Sequence, residues 1–144
     1  MQIAIDCADP ERLVAFWCLA LDYEPAPPPD GAATWRAWYL SVGVPEAELG
    51  DGDCVDRIRD PLGVGPPIWF QPVPEAKTVK NRVHLDVQVG GGRSVLVEHR
   101  QVVVRAKVAQ LLAAGGIVLR ELSEVEGHFE VTMRDPEGNE LCIT

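Results

Sequence analysis

The chain writes nearly the same five residues twice, RDPLG at Arg59–Gly63 and RDPEG at Arg134–Gly138. Asp-Pro-x-Gly is turn chemistry. A short apolar run follows each copy, PPIWFQ from Pro66 and NELCIT from Asn139. Each pair reads as a turn that delivers a final strand. A chain that ends two segments the same way is built from two copies of one unit.

Reading outward from the second turn gives one copy. RVHLDVQV (Arg82–Val89) alternates, with Val83, Leu85, Val87 and Val89 on one face and Arg82, His84, Asp86 and Gln88 on the other, the pattern of a half-buried strand. From about Val97 to Ala114 runs a helix ended by Gly115-Gly116, with Val102, Ala106, Ala109, Leu112 and Ala113 as its apolar stripe. IVLREL, HFEVTMRDP and NELCIT then read as three strands.

The first copy has the same order. QIAIDCA alternates, with Ile3, Ile5 and Cys7 against Gln2, Ala4 and Asp6. Asp9 caps a helix with Pro10 at its first position and Leu13, Phe16, Trp17, Ala20 and Leu21 on one face. EPAPPPDGAA is a loop. TWRAWYLSV places Trp35, Trp38, Tyr39 and Val42 at helical spacing behind Thr34. CVDRIRDP and PPIWFQPV are strands, and the prolines of the second suggest an exposed or edge position.

Both halves therefore read strand, helix, then strands, with Asp6 and Asp86 in corresponding places. A βαβββ unit cannot cover its own sheet, and two copies around a shared concavity solve that. The expected fold is α+β: two tandem βαβββ modules forming cupped mixed sheets, with helices on the convex side. Module one spans 1–74, a polar linker 75–81 and module two 82–144, within one domain.

With 144 residues the chain can bury a core unaided. Apolar residues make up 47% and charged residues 24%, and 22 acidic against 13 basic residues give a net charge of −9. That balance argues against nucleic acid and anionic membranes. No apolar run approaches transmembrane length, and no signal peptide is expected. Cys7, Cys18, Cys54 and Cys142 form no CxxC pair and read as free thiols in a cytoplasmic protein.

IDCADPERLVAFW, VPEAKTVKNRVHLDVQV and RDPEGNELC resemble the glyoxalase-like branch of the vicinal oxygen chelate superfamily, which includes glyoxalase I, bleomycin-resistance proteins and extradiol dioxygenases. The resemblance covers nearly the whole chain and implies curved sheets and a homodimer, with PPIWF a plausible contact strand. In metal enzymes of that superfamily a His or Gln opens the first strand of each module and a Glu sits on the last. Carried onto this chain, those positions are Gln2, Trp69, Arg82 and Cys142. Tryptophan cannot ligate and arginine repels a cation, so no metal and no cofactor are expected. Only a rearranged set, His84 and Cys142 with Asp6 or Asp86, could restore a metal site.

His84 and Asp86 lie two apart on one strand face, so the carboxylate can hold the imidazole in one tautomer for proton transfer. A purely structural histidine is an equal alternative. Asp6 takes the same place in module one. Trp35 and Trp38 lie at the mouth of the expected concavity or simply pack onto the sheet, and Trp69 alternates with a core Phe70. Cys142 reads as a buried, inert thiol, and His128 and Glu130 as solvated edge residues. The ligand-binding set is thus Asp6, Trp35, Trp38, Trp69, His84, Asp86 and Cys142, with no catalytic residue assigned. Three functions compete: a metal-independent binder of a drug or metabolite, a metal-dependent lyase, isomerase or dioxygenase, and a regulatory module without a ligand.

Overall fold

The computed structural model describes residues 1–92, 94–123 and 127–144. In it the two repeated turns are held by their aspartates. Asp60 accepts from the backbone N–H groups of Leu62, Val64 and Gly65 at 2.8, 3.0 and 2.7 Å. Asp135 is buried and accepts from the amides of Glu137 and Asn139 at 2.9 and 2.8 Å, and from the Asn139 side chain at 2.9 Å. Gly63 and Gly138 close the turns, each donating to its aspartate's carbonyl at 3.0 Å. Their φ values of 69° and 92° are strained for any other residue.

Each turn hands the chain to the last strand of its module, β4 (Ile68–Pro72) and β8 (Glu140–Ile143). β4 runs parallel to β1 (Ile3–Cys7) and antiparallel to β3 (Arg57–Arg59). β8 runs parallel to β5 (Leu85–Val87) and antiparallel to β7 (Glu130–Arg134). β2 (Glu24–Pro25) completes the first sheet in the order β1-β4-β3-β2, and β6 (Ile117–Leu122) the second in the order β5-β8-β7-β6. A parallel pair needs a crossover, which α1 (Pro10–Leu21) and α3 (Val97–Ala113) supply. With α2 (Trp35–Ser41) this is an α+β fold of two four-stranded mixed sheets, each a βαβββ-like module.

The chain forms two compact units, Met1–Cys18 with Asp22–Pro74, and Leu19–Leu21 with Glu75–Thr144. In the first, Asp9 caps α1 by accepting from the Arg12 amide at 3.1 Å, and Leu13, Phe16 and Trp17 on α1 are buried, as are Ile58 and Phe70 on the sheet. Thr34 caps α2 through the Ala37 amide at 3.0 Å. In the second, Val87, Leu141, Ile143, Val131 and Met133 are buried on the sheet, and Val104, Val108 and Leu111 on α3.

Four sequence expectations are corrected. β4 is an interior strand, not an edge, because Pro66 and Pro67 precede it and Pro72 ends it, so no proline sits where a mid-strand ladder donor is needed. PPIWF is therefore not a free contact strand. The EPAPPPDGAA loop contributes the two-residue β2, joined to β3 by the Arg59–Glu24 ion pair at 2.8 Å. On α3 the buried stripe is Arg100, Val104, Val108 and Leu111, while Val102 and Leu112 are exposed. Val83 is exposed too, because β5 begins only at Leu85.

Candidate functional site

β5 and β8 bring His84, Asp86 and Cys142 together in module two. Their parallel register sets Asp86 beside Cys142, and β7 adds Thr132 on the other side of Cys142. One residue before β5, His84 shares the parity of Asp86, opposite to that of the buried Val87. His84 Nδ1 stands 3.4 Å from Asp86 Oδ1 and 4.0 Å from Cys142 Sγ. Thr132 Oγ1 is 3.7 Å from the same sulfur. Burial, with the nearby negative charges of Asp86 and Glu130, pushes the Cys142 thiol up against the opposing Thr132 hydrogen bond. The sulfur is therefore protonated at neutral pH and a poor nucleophile.

Beside this cluster lies a cavity of about 210 Å³ whose walls include Asp86, Arg100, His128 and Glu130. His128 Nε2 and Glu130 Oε2 are 3.1 Å apart, and Arg120 reaches Glu130 at 3.6 Å. The expectation that His128 and Glu130 are solvated edge residues is corrected: both are only partly exposed, because Phe129 between them is fully buried and draws the start of β7 inward.

Module one holds a second cluster that the sequence reading missed. Asp56, 5% exposed, accepts from Tyr39 Oη at 2.6 Å, Trp69 Nε1 at 2.8 Å and Arg57 Nη1 at 3.0 Å. The Arg57 guanidinium lies over the rings of Trp35 and Trp69, 4.6 and 5.2 Å from their centroids. Burial, then the hydrogen bond to Asp56, pushes the Tyr39 phenol up to about 12. A signal was present: Asp56 has the parity of Ile58, so a carboxylate stands in core register and needs partners.

The predicted residues thus fall into separate groups. His84, Asp86 and Cys142 come together in module two. Trp35, Trp38 and Trp69 come together in module one, with Trp35 buried and donating to the Ala26 carbonyl at 2.7 Å, and Trp38 partly exposed and donating to Asp30 at 3.2 Å. Asp6 is exposed on β1, opposite Gln71.

The positions that the resemblance implies for a metal do not furnish a donor set. Trp69 spends its indole N–H on Asp56, and Arg82 is an exposed cation. The ligand atoms of His84, Asp86 and Cys142, by contrast, all lie within 4.8 Å of one another. Tetrahedral zinc places such donors roughly 3.3–3.6 Å apart, so this trio needs only a small contraction to hold an ion.

A parallel first-to-last strand pairing, repeated in two βαβββ modules, defines the paired-module class to which glyoxalase-like proteins belong. The chain is a member of the glyoxalase-like domain family, whose model matches residues 2–144. Among curated proteins none matches the sequence significantly. Several solved structures share the fold. A hypothetical protein, SA1046, from S. aureus matches with a TM-score of 0.61 at 16% identity, over 99% of this chain and 90% of that one. A glyoxalase/bleomycin resistance protein/dioxygenase family enzyme from Burkholderia phytofirmans PsJN gives 0.59 at 15%, over 99% and 94%. The fosfomycin resistance protein FosX from Listeria monocytogenes gives 0.58 at 12%, over 99% and 88%, and a mutant of it is complexed with Mn(II) and 1S,2S-dihydroxypropylphosphonic acid. Identities this low carry the fold and nothing finer. Among the described residues no helix is long and apolar enough to cross a membrane.

Proposed function

We propose that the protein binds a small organic molecule, a drug or a metabolite, without a divalent ion. The observation that carries this reading is the donor substitution: the family's metal positions hold Gln2, Trp69, Arg82 and Cys142, two of which cannot ligate. The polar face of His84, Asp86 and Cys142 in module two is the proposed contact surface, with His84 able to exchange a proton. Asp6, Trp38 and Trp69 are a separate set of proposed contacts, within module one. Trp35, 4% exposed, reaches a ligand only if α2 lifts from its sheet. A homodimer is the proposed assembly. The test is a thermal-shift and Trp-fluorescence screen of protein stripped with a chelator. His84→Ala should weaken a hit about tenfold while leaving the circular dichroism intact. A hit that untreated protein gives and stripped protein does not, or an unfolded His84→Ala protein, sinks the reading.

The second reading is a metal-dependent lyase, isomerase or dioxygenase. The trio within 4.8 Å favours it. His84, Cys142 and Asp86 would hold the ion, which would supply Lewis acidity to a bound oxygen. Metal analysis of the purified protein, with Cys142→Ser as control, separates the readings. Stoichiometric metal lost in that variant supports the second.

A further inference from the structure

Arg100 sits where α3 should be apolar. It opens the buried stripe that Val104, Val108 and Leu111 continue, and it is 6% exposed. Buried charges are almost always paired. Arg100 Nε donates to the Val95 carbonyl at 3.2 Å and Nη2 to the Gly127 carbonyl at 2.5 Å, two of the five N–H bonds a guanidinium offers. The ion pairs of module two among the described residues join Lys80 to Glu140, His84 to Asp86, Arg105 to Glu121, and Arg120 and His128 to Glu130, and none includes Arg100.

The chain makes room for this side chain. A Cβ at Gly90 would meet Cγ, Cβ and Cδ of Arg100 at 3.0, 3.1 and 3.3 Å. Gly90 is itself fixed against β8, donating to the Thr144 carbonyl at 3.0 Å. The glycine therefore serves close approach, not a turn.

Arg100 lines the 210 Å³ cavity together with Asp86, Gln88, His128, Glu130 and Thr144. That volume lies below the roughly 300–1,000 Å³ of drug-sized sites, so the occupant is small. Glu130 is already matched by Arg120 and His128. Among the described residues, two charged side chains on the wall have no permanently charged side-chain partner: the Arg100 cation and the Asp86 anion, whose neighbour His84 is charged only when protonated. The Gln88 amide and the Thr144 hydroxyl add neutral hydrogen-bonding groups.

We propose that this cavity binds a small zwitterionic amino acid, its carboxylate forked onto Arg100 and its ammonium on Asp86. The fork suits a guanidinium, which presents parallel N–H bonds to a carboxylate. The cavity shares Asp86 with the proposed contact surface but does not rest on that reading. All four tryptophans lie outside Glu75–Thr144, so its occupancy is read by different probes.

The experiment is an amide-resonance titration of ¹⁵N-labelled protein with glycine, β-alanine and 4-aminobutyrate, a ladder of charge separations, against acetate and methylammonium at equal ionic strength. One zwitterion should shift Gln88, Gly90, Thr144 and the Arg100 Nε–H saturably, with acetate and methylammonium at least about tenfold weaker. Asp86→Asn and Arg100→Gln should each raise its Kd about tenfold or more, the scale of a lost charge-assisted hydrogen bond. Where Arg100→Gln is too unstable to titrate, Arg100→Lys, which keeps the charge and loses the fork, replaces it. The proposal is overturned by a wild-type protein that binds no zwitterion, by acetate binding as tightly as the best one, or by an unchanged Kd in Asp86→Asn.

Discussion

Asp60 and Asp135 hold the same place in the repeat but not the same surroundings. Asp135 is 1% exposed and gathers two backbone amides and one side-chain amide. Asp135→Ala leaves those part-buried donors without their acceptor, and urea unfolding should show a loss of about 1–3 kcal/mol. Asp60 faces solvent more, and its effect is clearest as a pH dependence. The Gly65 and Leu62 amides, then that of Val64, hold its carboxyl below its usual 3.8. A depressed folded pKa favours the folded state above the unfolded pKa, and that favour disappears as pH falls through the folded value. The gap in urea midpoint between wild type and Asp60→Asn should thus be constant at neutral pH and close below about pH 4. A gap that widens on acidification contradicts the assignment. The alternation of His84 with Asp86 was legible because parity is a local property. Asp56 and Arg100 were not placed, because a buried charge is explained by neighbours far along the chain: Tyr39 and Trp69 for one, Gly127 and Gly90 for the other.

At the scale of elements, α3 shows where periodicity fails. Val102, Val103, Val104, Val108, Leu111 and Leu112 put apolar residues on more than one helical face. The sequence offers more than one stripe, and the sheet beneath chooses among them. Its choice, Val104, Val108 and Leu111, can be tested with a pair of neighbours. Leu111→Ala removes a fully buried side chain and should cost about 2–5 kcal/mol in thermal or urea unfolding. Leu112→Ala, at 47% exposure, should cost under about 1 kcal/mol. Equal losses would mean that α3 is rotated. β4 was misjudged for a related reason. Counting prolines does not say whether they fall within a ladder or at its ends, and here they flank it. β1, α1 and α2 were legible because caps, alternation and a narrow apolar face agreed with one another.

The order of strands across each sheet is a property of the whole chain, and it moves the proposed dimer contact. β4 is interior to the first sheet, and the end strands of the second sheet are β5 and β6. Among the described residues β6 pairs only with β7, and it carries Ile117, Val118 and Leu119 at 58%, 39% and 41% exposure. An unpaired edge with three consecutive exposed apolar residues invites strand addition unless charges guard it. The charges on β6 do not guard it: Arg120 is drawn to Glu130, and Glu121 to Arg105 at 2.8 Å, both within the module. Just before β6 in the chain, α3 adds exposed Val102, Val103 and Leu112, and α3 touches β6. A second copy is the simplest cover for such an edge, since antiparallel pairing of β6 with itself satisfies a twofold axis. Light scattering should give twice the chain mass at micromolar concentration. Leu119→Glu should return it to the chain mass with unchanged far-ultraviolet circular dichroism, because a carboxylate in the seam is desolvated without a partner. A wild-type monomer rules out the dimer. A dimer that survives Leu119→Glu places the contact away from β6.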